Sequence, residues 1–246
     1  MFNFFRKKQE PIQVTPLYLD FHSHFLYGLD DGSKSISESI IMLQKMEEYG
    51  YTHLIMTPHV MGDFYKNSPE MILNKLDDLK EEVLKQSINL KLGASAEYYL
   101  DEWFAEKIRT KELLPFGSNY ILFEISYVNE PRNLFETIFN LQIAGYQPVL
   151  AHPERYNFYH NRFEMYEEIV EKGCKLQLNM LSLIGYYGPE VKKIAIRLID
   201  QNMAYFVGSD AHHQKHVDLL AQVLDSTHFA KVSSLIHNNE IIESMK

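Results

Sequence analysis

Short apolar runs alternate along the chain with longer segments in which apolar residues recur at helical spacing. The seven strand-like runs are residues 17–21, 54–56, 90–92, 121–123, 148–150, 176–178 and 205–207. The helical segments are residues 37–49, 69–85, 103–108, 134–144, 163–172, 190–202, 219–224 and 229–237. Strands that alternate with helices of about ten residues predict parallel βαβ units. Seven such strands predict an α/β fold, a distorted (β/α)7 barrel of the TIM type.

The segment after the first strand shows the helical pattern most clearly. Ile40, Leu43 and Met46 recur at helical spacing. Ser35 or Ser37 is available as the N-cap of this helix, and the glycine at position 50 is expected to end it.

Nine residues whose side chains can bind metal follow six of the seven strands. They are His22, His24, Asp31, His59, Glu97, Glu124, His152, Asp210 and His212. A parallel barrel places the carboxyl ends of its strands on one face, where residues distant in sequence converge. The regular placement therefore predicts one polynuclear metal site on that face.

The sequence around several of these residues strengthens the metal interpretation. His22 and His24 are one residue apart, so on a strand end both side chains point to the same side and can bind one ion. Glu124 follows an apolar run, and a buried carboxylate needs either a metal ion or a cationic partner, of which metal is favoured. His59 and His152 each adjoin a proline, which restricts the backbone of a ligand loop.

Composition indicates one ordinary enzyme-sized domain. Of the 246 residues, 46% are hydrophobic, which is enough for a sizeable core. We predict a flexible tail over residues 1–16 and a single domain over residues 17–246. The first apolar residues precede the basic ones, the reverse of a secretory signal, so a cytoplasmic protein without stable membrane insertion is expected. The formal net charge of -9 argues against nucleic-acid binding.

The single cysteine offers little chemistry. Cys174 stands in an apolar run and is predicted to be buried and inert. It does not open a Cys-x5-Arg phosphate loop, because Met180 occupies the position of the arginine. The sequence therefore disfavours a cysteinyl-phosphate mechanism.

Aromatic residues are frequent in the loops predicted to lie on the ligand face. These loops, residues 61–68, 98–116 and 157–162, are rich in Tyr, Phe and Asn. Packing of the loops against the barrel is the favoured interpretation. A wall for a ring-bearing substrate is the alternative.

Seven short motifs combine the residues discussed above. They are Asp20-Phe21-His22-Ser23-His24, Asp30-Asp31-Gly32, Thr57-Pro58-His59, Ala96-Glu97, Phe123-Glu124, Ala151-His152-Pro153-Glu154-Arg155-Tyr156 and Ser209-Asp210-Ala211-His212. Together they resemble the motifs of the polymerase and histidinol phosphatase (PHP) family. Within it the chain is most similar to the bacterial tyrosine phosphatases linked to capsular and exopolysaccharide synthesis. The resemblance extends from about residue 18 to about residue 224.

The resemblance implies a distorted barrel with three divalent metal ions, usually manganese; iron and zinc also suit these ligands. By position, one ion would be bound by His22, His24, Glu97 and Asp210. A second would be bound by Glu97, Glu124 and His152, with Glu97 as the bridge. A third would be bound by Asp31, His59 and His212. Arg155 would bind the phosphate, because its planar guanidinium can engage two oxygens.

The resemblance also implies hydrolysis of phosphotyrosine in a protein, by attack of a hydroxide that bridges two metal ions. The expected partner is the tyrosine-rich tail of a cognate tyrosine autokinase in polysaccharide export. Two alternatives stay open. One is a PHP phosphatase for a small metabolite such as histidinol phosphate, and the other is a non-catalytic regulator that binds the kinase tail.

The chain departs from the family pattern after its last motif. Members of this branch carry another arginine soon after Asp-x-His, where this chain has His213-Gln214-Lys215-His216. Either His213, Lys215 or His216 replaces that arginine, or all three are surface residues. The general acid is therefore not assigned, and a phenolate leaving group needs less protonation than an alkoxide.

Overall fold

Strands and helices alternate through residues 19–229, the part of the chain that the computed structural model describes. The strands are β1 (Leu19–Asp20), β2 (His53–Met56), β3 (His59–Val60), β4 (Lys91–Ala94), β5 (Glu97–Tyr99), β6 (Tyr120–Glu124), β7 (Gln147–Ala151), β8 (Lys175–Asn179) and β9 (Ala204–Gly208). The α-helices are α1 (Ile36–Glu48), α2 (Pro69–Lys85), α3 (Glu102–Thr110), α4 (Leu134–Ile143), α5 (Glu164–Glu171), α6 (Pro189–Asp200) and α7 (Gln214–Leu224). This order confirms the predicted succession of β and α units.

All paired strands run parallel, in two sheets with the orders β1-β2-β4 and β3-β5-β6-β7-β8-β9. Only Thr57 and Pro58 separate β2 from β3, and only Ser95 and Ala96 separate β4 from β5. Each of these pairs is one predicted strand with a short break, so the described strands correspond to the seven predicted ones. Pro58 contributes to the first break because it has no backbone N–H for the ladder.

Contacts between the two ends of the described chain bring the first and last strands together. Ser23 and Ala211 form a parallel bridge. The backbone N–H of Ser209 donates to the Asp20 carboxylate over 2.9 Å. The parallel strand order confirms the predicted α/β fold, and these contacts bring its strands together as in a distorted (β/α)7 barrel.

Alternate strand residues fill the barrel interior with an apolar cluster, called here the barrel plug. It consists of Leu19, Phe21, Ile55, Phe116, Tyr120, Leu122, Val149, Ala151 and Phe206. The ring centroids of Phe21 and Phe206 are 4.8 Å apart, and those of Phe21 and Phe116 are 5.2 Å apart. The opposite strand faces pack against the helices in a second, larger cluster. Because the interior is filled, polar chemistry is confined to the strand ends.

A side-chain cap sets the start of α1, whereas α7 has no such cap and begins earlier than predicted. Ser35, rather than Ser37, caps α1, because its side chain accepts from the backbone N–H of Glu38. Helix α7 begins at Gln214, well before the predicted start at residue 219. Its first turn is polar and therefore gave no apolar periodicity.

Two predictions concern residues outside the described range. The tail over residues 1–16 lies beyond it, as does the helix over residues 229–237 except for Phe229. The division into a tail and a single domain therefore stays a prediction. Within residues 19–229, no helix has the length and hydrophobicity needed to cross a membrane.

Candidate metal centre

The nine predicted ligands lie at the carboxyl ends of the strands, and eight of them form three overlapping sets of donor atoms. The inner group is His22, His24, Glu97 and Asp210. The lateral group is His59, Glu97 and Glu124, and the outer group is His24, Asp31, His59 and His212. Within each group the donor atoms lie within 4.8 Å of one another. The ninth, His152, contacts Glu97 and so borders the same cluster.

The inner group has the spacing expected of ligands around one ion. His22 Nε2 lies 3.3 Å from Glu97 Oε2 and 3.4 Å from Asp210 Oδ1. His24 Nε2 lies 3.5 Å from the same Glu97 oxygen and 3.4 Å from His22 Nε2. Ligand atoms about 2.1 Å from a tetrahedral ion are about 3.4 Å apart. Glu97 Oε2 is buried without a hydrogen-bond partner among the described residues, so the donor set fits a bound cation.

Glu97 is the centre of the cluster. Besides the two inner histidines, its Oε2 lies 3.2 Å from His59 Nδ1, and its Oε1 lies 3.0 Å from His152 Nε2. Glu124 lies 3.3 Å from His59 and 3.9 Å from His152. Glu97 is thus placed to bridge two ions, while His59 contacts both the lateral carboxylates and the outer group.

The outer group is more open to solvent than the inner group. Asp31 Oδ1 lies 3.5 Å from His59 Nε2 and 3.6 Å from His212 Nε2. The Asp31 side chain is 57% exposed, whereas those of His22, His24 and Glu97 are fully buried. The His212 ring stacks on the His24 ring at a centroid distance of 3.9 Å. The inner part of the cluster is therefore shielded from solvent, and its outer part is accessible to solvent.

Carboxylates set the electrostatics of the buried histidines. Burial alone would lower the pKa of His22, but Glu97 and Asp210 raise it above the ordinary value. Burial likewise opposes protonation of His24, yet the nearby Asp30 carboxylate, together with Asp210 and Glu97, raises its pKa. The surplus of carboxylates favours positive charge at this position, as bound cations would supply.

Two residues that the sequence did not single out orient the histidines that are candidate ligands. The Asp30 carboxylate lies 2.7 Å from His24 Nδ1 and accepts from the backbone N–H of His59 over 2.9 Å. Gln177 Oε1 lies 2.8 Å from His22 Nδ1. Both contacts occupy the ring nitrogen that faces away from the cluster, which fixes the histidine orientation. In the sequence, Asp30 could have been noticed as the first aspartate of the Asp-Asp-Gly motif, and Gln177 as a glutamine within an apolar strand.

Backbone strain marks two of the ligands. His152 has φ 33° and Asp210 has φ 49°, both in the left-handed region that residues with a Cβ seldom adopt. Such conformations persist where the surrounding structure over-determines them and are enriched at functional sites. At Gly208 an added Cβ would lie 2.6 Å from His22 Cβ, so only glycine fits beside that ligand.

Arg155 lies beside the inner group and packs against two tyrosine rings. Its Nη1 donates to Asp210 Oδ2 over 2.9 Å. Its guanidinium carbon lies 4.7 Å from the ring centroid of Tyr127 and 4.2 Å from that of Tyr187. The side chain is 22% exposed. The neighbouring Glu154 does not pair with Arg155, because it is buried and accepts from the backbone N–H of Asn179 and the hydroxyl of Ser182.

The three residues in place of the family's second arginine have different environments. His216 is buried, and its Nε2 lies 3.0 Å from the Tyr186 hydroxyl. Its Nδ1 accepts from the backbone N–H of His212 over 3.3 Å. His213 and Lys215 are exposed at the start of α7. The expectation that one of them replaces the arginine stays open.

Comparisons with known sequences agree with these motifs. A family model for capsular polysaccharide synthesis proteins, CpsB/CapC, matches residues 18–222. CapC of Staphylococcus aureus is 34% identical over 197 residues, which cover 79% of this chain and 76% of CapC. The tyrosine-protein phosphatase YwqE of Bacillus subtilis (strain 168) is 32% identical over 198 residues, which cover 80% of this chain and 78% of YwqE.

Solved structures show the same architecture. YwqE of Bacillus subtilis and CpsB of Streptococcus pneumoniae are metal-dependent tyrosine phosphatases with known crystal structures. One structure from this pair matches the present chain with a TM-score of 0.82. The identity is 29%, and the match covers 93% of this chain and 95% of the other. Histidinol phosphate phosphatase of Lactococcus lactis matches with a TM-score of 0.54 at 14% identity, over 84% of this chain and 92% of the other. At that identity the likeness shows the fold alone.

Proposed function

The chain belongs to the CpsB/CapC family of capsular polysaccharide synthesis proteins, and from this membership we propose that it is a metal-dependent phosphatase acting on phosphotyrosine in proteins. The observation that carries the proposal is the inner group. Its donor atoms are 3.3 to 3.5 Å apart around an unpartnered Glu97 oxygen, with the Arg155 guanidinium alongside. Named relatives that are tyrosine-protein phosphatases support the choice of substrate.

The proposed ligand assignment keeps the partition that the family resemblance implies. It differs from the lateral group in using His152 in place of His59, and from the outer group in leaving out His24. The inner group would hold one ion, Glu97, Glu124 and His152 would hold a second, and Asp31, His59 and His212 would hold a third. Manganese is the proposed metal, since imidazole and carboxylate ligands suit it. Bound divalent cations supply Lewis acidity, which acidifies water and offsets the charge of a phosphoryl group.

Arg155 is the proposed phosphate-binding residue. The planar guanidinium can donate to two phosphoryl oxygens at once. Tyr127 and Tyr187 hold its plane, and the bond to Asp210 directs one edge of it toward the inner group. The substrate phosphate would therefore be oriented with respect to the donor cluster before reaction.

No cysteine nucleophile takes part in this proposal. Cys174 is buried, and burial raises the pKa of its thiol well above the ordinary value, which disfavours the reactive thiolate. Its location confirms the predicted inert thiol. The phenolate that leaves phosphotyrosine is a better leaving group than an alkoxide, so the reaction depends less on a strong general acid.

A protein substrate is supported by apolar side chains in the loops of the ligand face. Phe64 is 75% exposed and Val128 is 83% exposed, in the loops that follow β3 and β6. Exposed apolar residues beside a polar site are suited to contact a peptide. As the substrate we propose the tyrosine-rich tail of a cognate autokinase, and we propose that the phosphatase acts on this tail in the cytoplasm.

The test measures phosphate release from a phosphotyrosine peptide and from histidinol phosphate in parallel. Metal-stripped protein is compared before and after manganese is resupplied. His152→Ala is the active-site variant, and His53→Ala, at the amino-terminal end of β2, is the matched control. Manganese-dependent release from the peptide, lost in His152→Ala and retained in His53→Ala, is expected.

Two other outcomes would contradict the proposal. Preference for histidinol phosphate would assign the chain to metabolite chemistry. Absence of release from both substrates, with metal bound, would favour a regulator that binds without turnover.

A further inference from the structure

Two tyrosines lie against two histidines of the donor cluster. The Tyr65 ring stacks on the His59 ring with a centroid distance of 5.9 Å and an interplanar angle of 15°. The Tyr127 ring stacks on the His152 ring at 5.7 Å and 23°. Because both histidines contact Glu97, at 3.2 and 3.0 Å, the two tyrosines border one cluster.

Each tyrosine is held in place while part of its surface stays accessible. Tyr65 is half-buried and ends a tight turn in which its backbone N–H and carbonyl both bond to Met61 over 2.9 Å. Tyr127 is 40% exposed, and the guanidinium carbon of Arg155 lies 4.7 Å from its ring centroid. A ring that is held in place while part of its surface is exposed can pack against a further ring without reordering of the protein.

We propose that Tyr65 and Tyr127 form the surface that selects aryl phosphates over alkyl phosphates. The phenyl ring of the substrate would pack against them while Arg155 holds the phosphate. This inference rests on the proposed function, and it names the residues that determine the specificity of the same site. Aromatic rings pack favourably at centroid distances of about 4.5 to 7 Å, and an alkyl phosphate has no ring to place there.

A merely structural role for the tyrosines makes a different prediction. If Tyr65 and Tyr127 only orient His59 and His152, their loss would weaken every phosphate ligand equally. If they select the aryl group, their loss would weaken aryl ligands more than alkyl ligands. The ratio between two inhibitors therefore separates the two roles, whatever happens to the overall activity.

The experiment compares phenylphosphonate and ethylphosphonate as competitive inhibitors of phosphotyrosine peptide hydrolysis by the manganese-loaded full chain. Tyr65→Leu and Tyr127→Leu are each expected to reduce the preference for phenylphosphonate by roughly three- to tenfold. Tyr65→Phe, which keeps the ring, should restore most of the preference. Phe139→Leu, which removes a 60% exposed ring from α4, is the matched control.

The outcomes distinguish this inference from the proposed function. If the ratio of phenylphosphonate to ethylphosphonate inhibition stays within twofold of the wild-type value in both leucine variants, the tyrosines do not select the aryl group and this inference is wrong. Absence of peptide hydrolysis by the metal-loaded wild type would overturn the proposed function, and this inference with it. Metal content and circular dichroism of each variant confirm that the comparison is made on folded, loaded protein.

Discussion

The two ends of the barrel are built from the same strands and serve different purposes. In β6, Tyr120 and Leu122 belong to the barrel plug, while Glu124, two residues further, belongs to the donor cluster. Truncation of a buried aromatic side chain to alanine costs about 3–5 kcal/mol, whereas Glu97 at the opposite end is a fully buried carboxylate that loses its hydration on folding. The plug therefore stabilises the fold. This stability offsets the cost of burying several charged side chains close together at the opposite end.

The largest effect is expected from Glu97→Gln, which would break the proposed site without harming the plug. The substitution removes the central charge that four histidines contact. We expect phosphatase activity to fall by about a thousandfold, equivalent to roughly 4 kcal/mol. The melting temperature of the metal-free protein should change little, because relief of the buried charge is offset by the loss of its contacts with the histidines, which lower the pKa of Glu97 in the folded protein. A large drop in that temperature would contradict the separation of the two ends.

The next effect concerns the opposite end of the barrel. Phe206→Ala removes a ring that packs on Phe21 at 4.8 Å. The free energy of unfolding, measured by denaturant titration, should fall by about 3–5 kcal/mol. Activity per folded, metal-loaded molecule should stay close to the wild-type value. Loss of specific activity beyond the loss of folded protein would show that the plug also shapes the site.

Arg155→Lys tests the phosphate side of the site. A lysine keeps the positive charge but loses the planar fork and the packing between Tyr127 and Tyr187. We expect kcat/KM for a phosphotyrosine peptide to fall by roughly ten- to a hundredfold, with metal content retained. Unchanged kinetics would remove Arg155 from the proposed site.

The smallest effect is expected from Gln177→Leu, which lies where the two ends meet. Gln177 is fully buried in β8 and orients His22 through the 2.8 Å contact to Nδ1. Leucine has a similar size but cannot accept from His22 or from the backbone N–H of His152, so the free energy of unfolding should fall by about 1–3 kcal/mol. Manganese affinity, measured by titration of the metal-free protein, should fall by roughly tenfold. Unaltered affinity would show that the His22 ring is held by packing alone.

The sequence predicted the strands, most helices and the grouping of the candidate ligands, because each of these predictions rests on local signals in the chain. Apolar runs and helical spacing are visible within a few residues, and each ligand follows its own strand. The one-residue spacing of His22 and His24 was enough to place both in the inner group. The contact of His59 with both the lateral and outer groups could not be predicted, since it depends on distances across the barrel.

The features that the sequence did not reveal arise from tertiary contacts. The two strand breaks depend on how the ladder continues past Pro58 and Ala96. Asp30 forms a local turn, since it accepts from the backbone N–H of Gly32. Its further contacts with His24 and His59 come from the way the loop folds over the site.

The closure between the first and last strands has a consequence for the order of events during synthesis. Asp20 and Ser209, which bond directly, are 189 residues apart, and the inner group draws His22 and Asp210 from the same two regions. A chain emerging from the ribosome therefore lacks a complete inner group until Asp210 has been made. Contacts this distant in sequence form late because loop closure must precede them. Metal acquisition by the inner group would follow translation rather than accompany it.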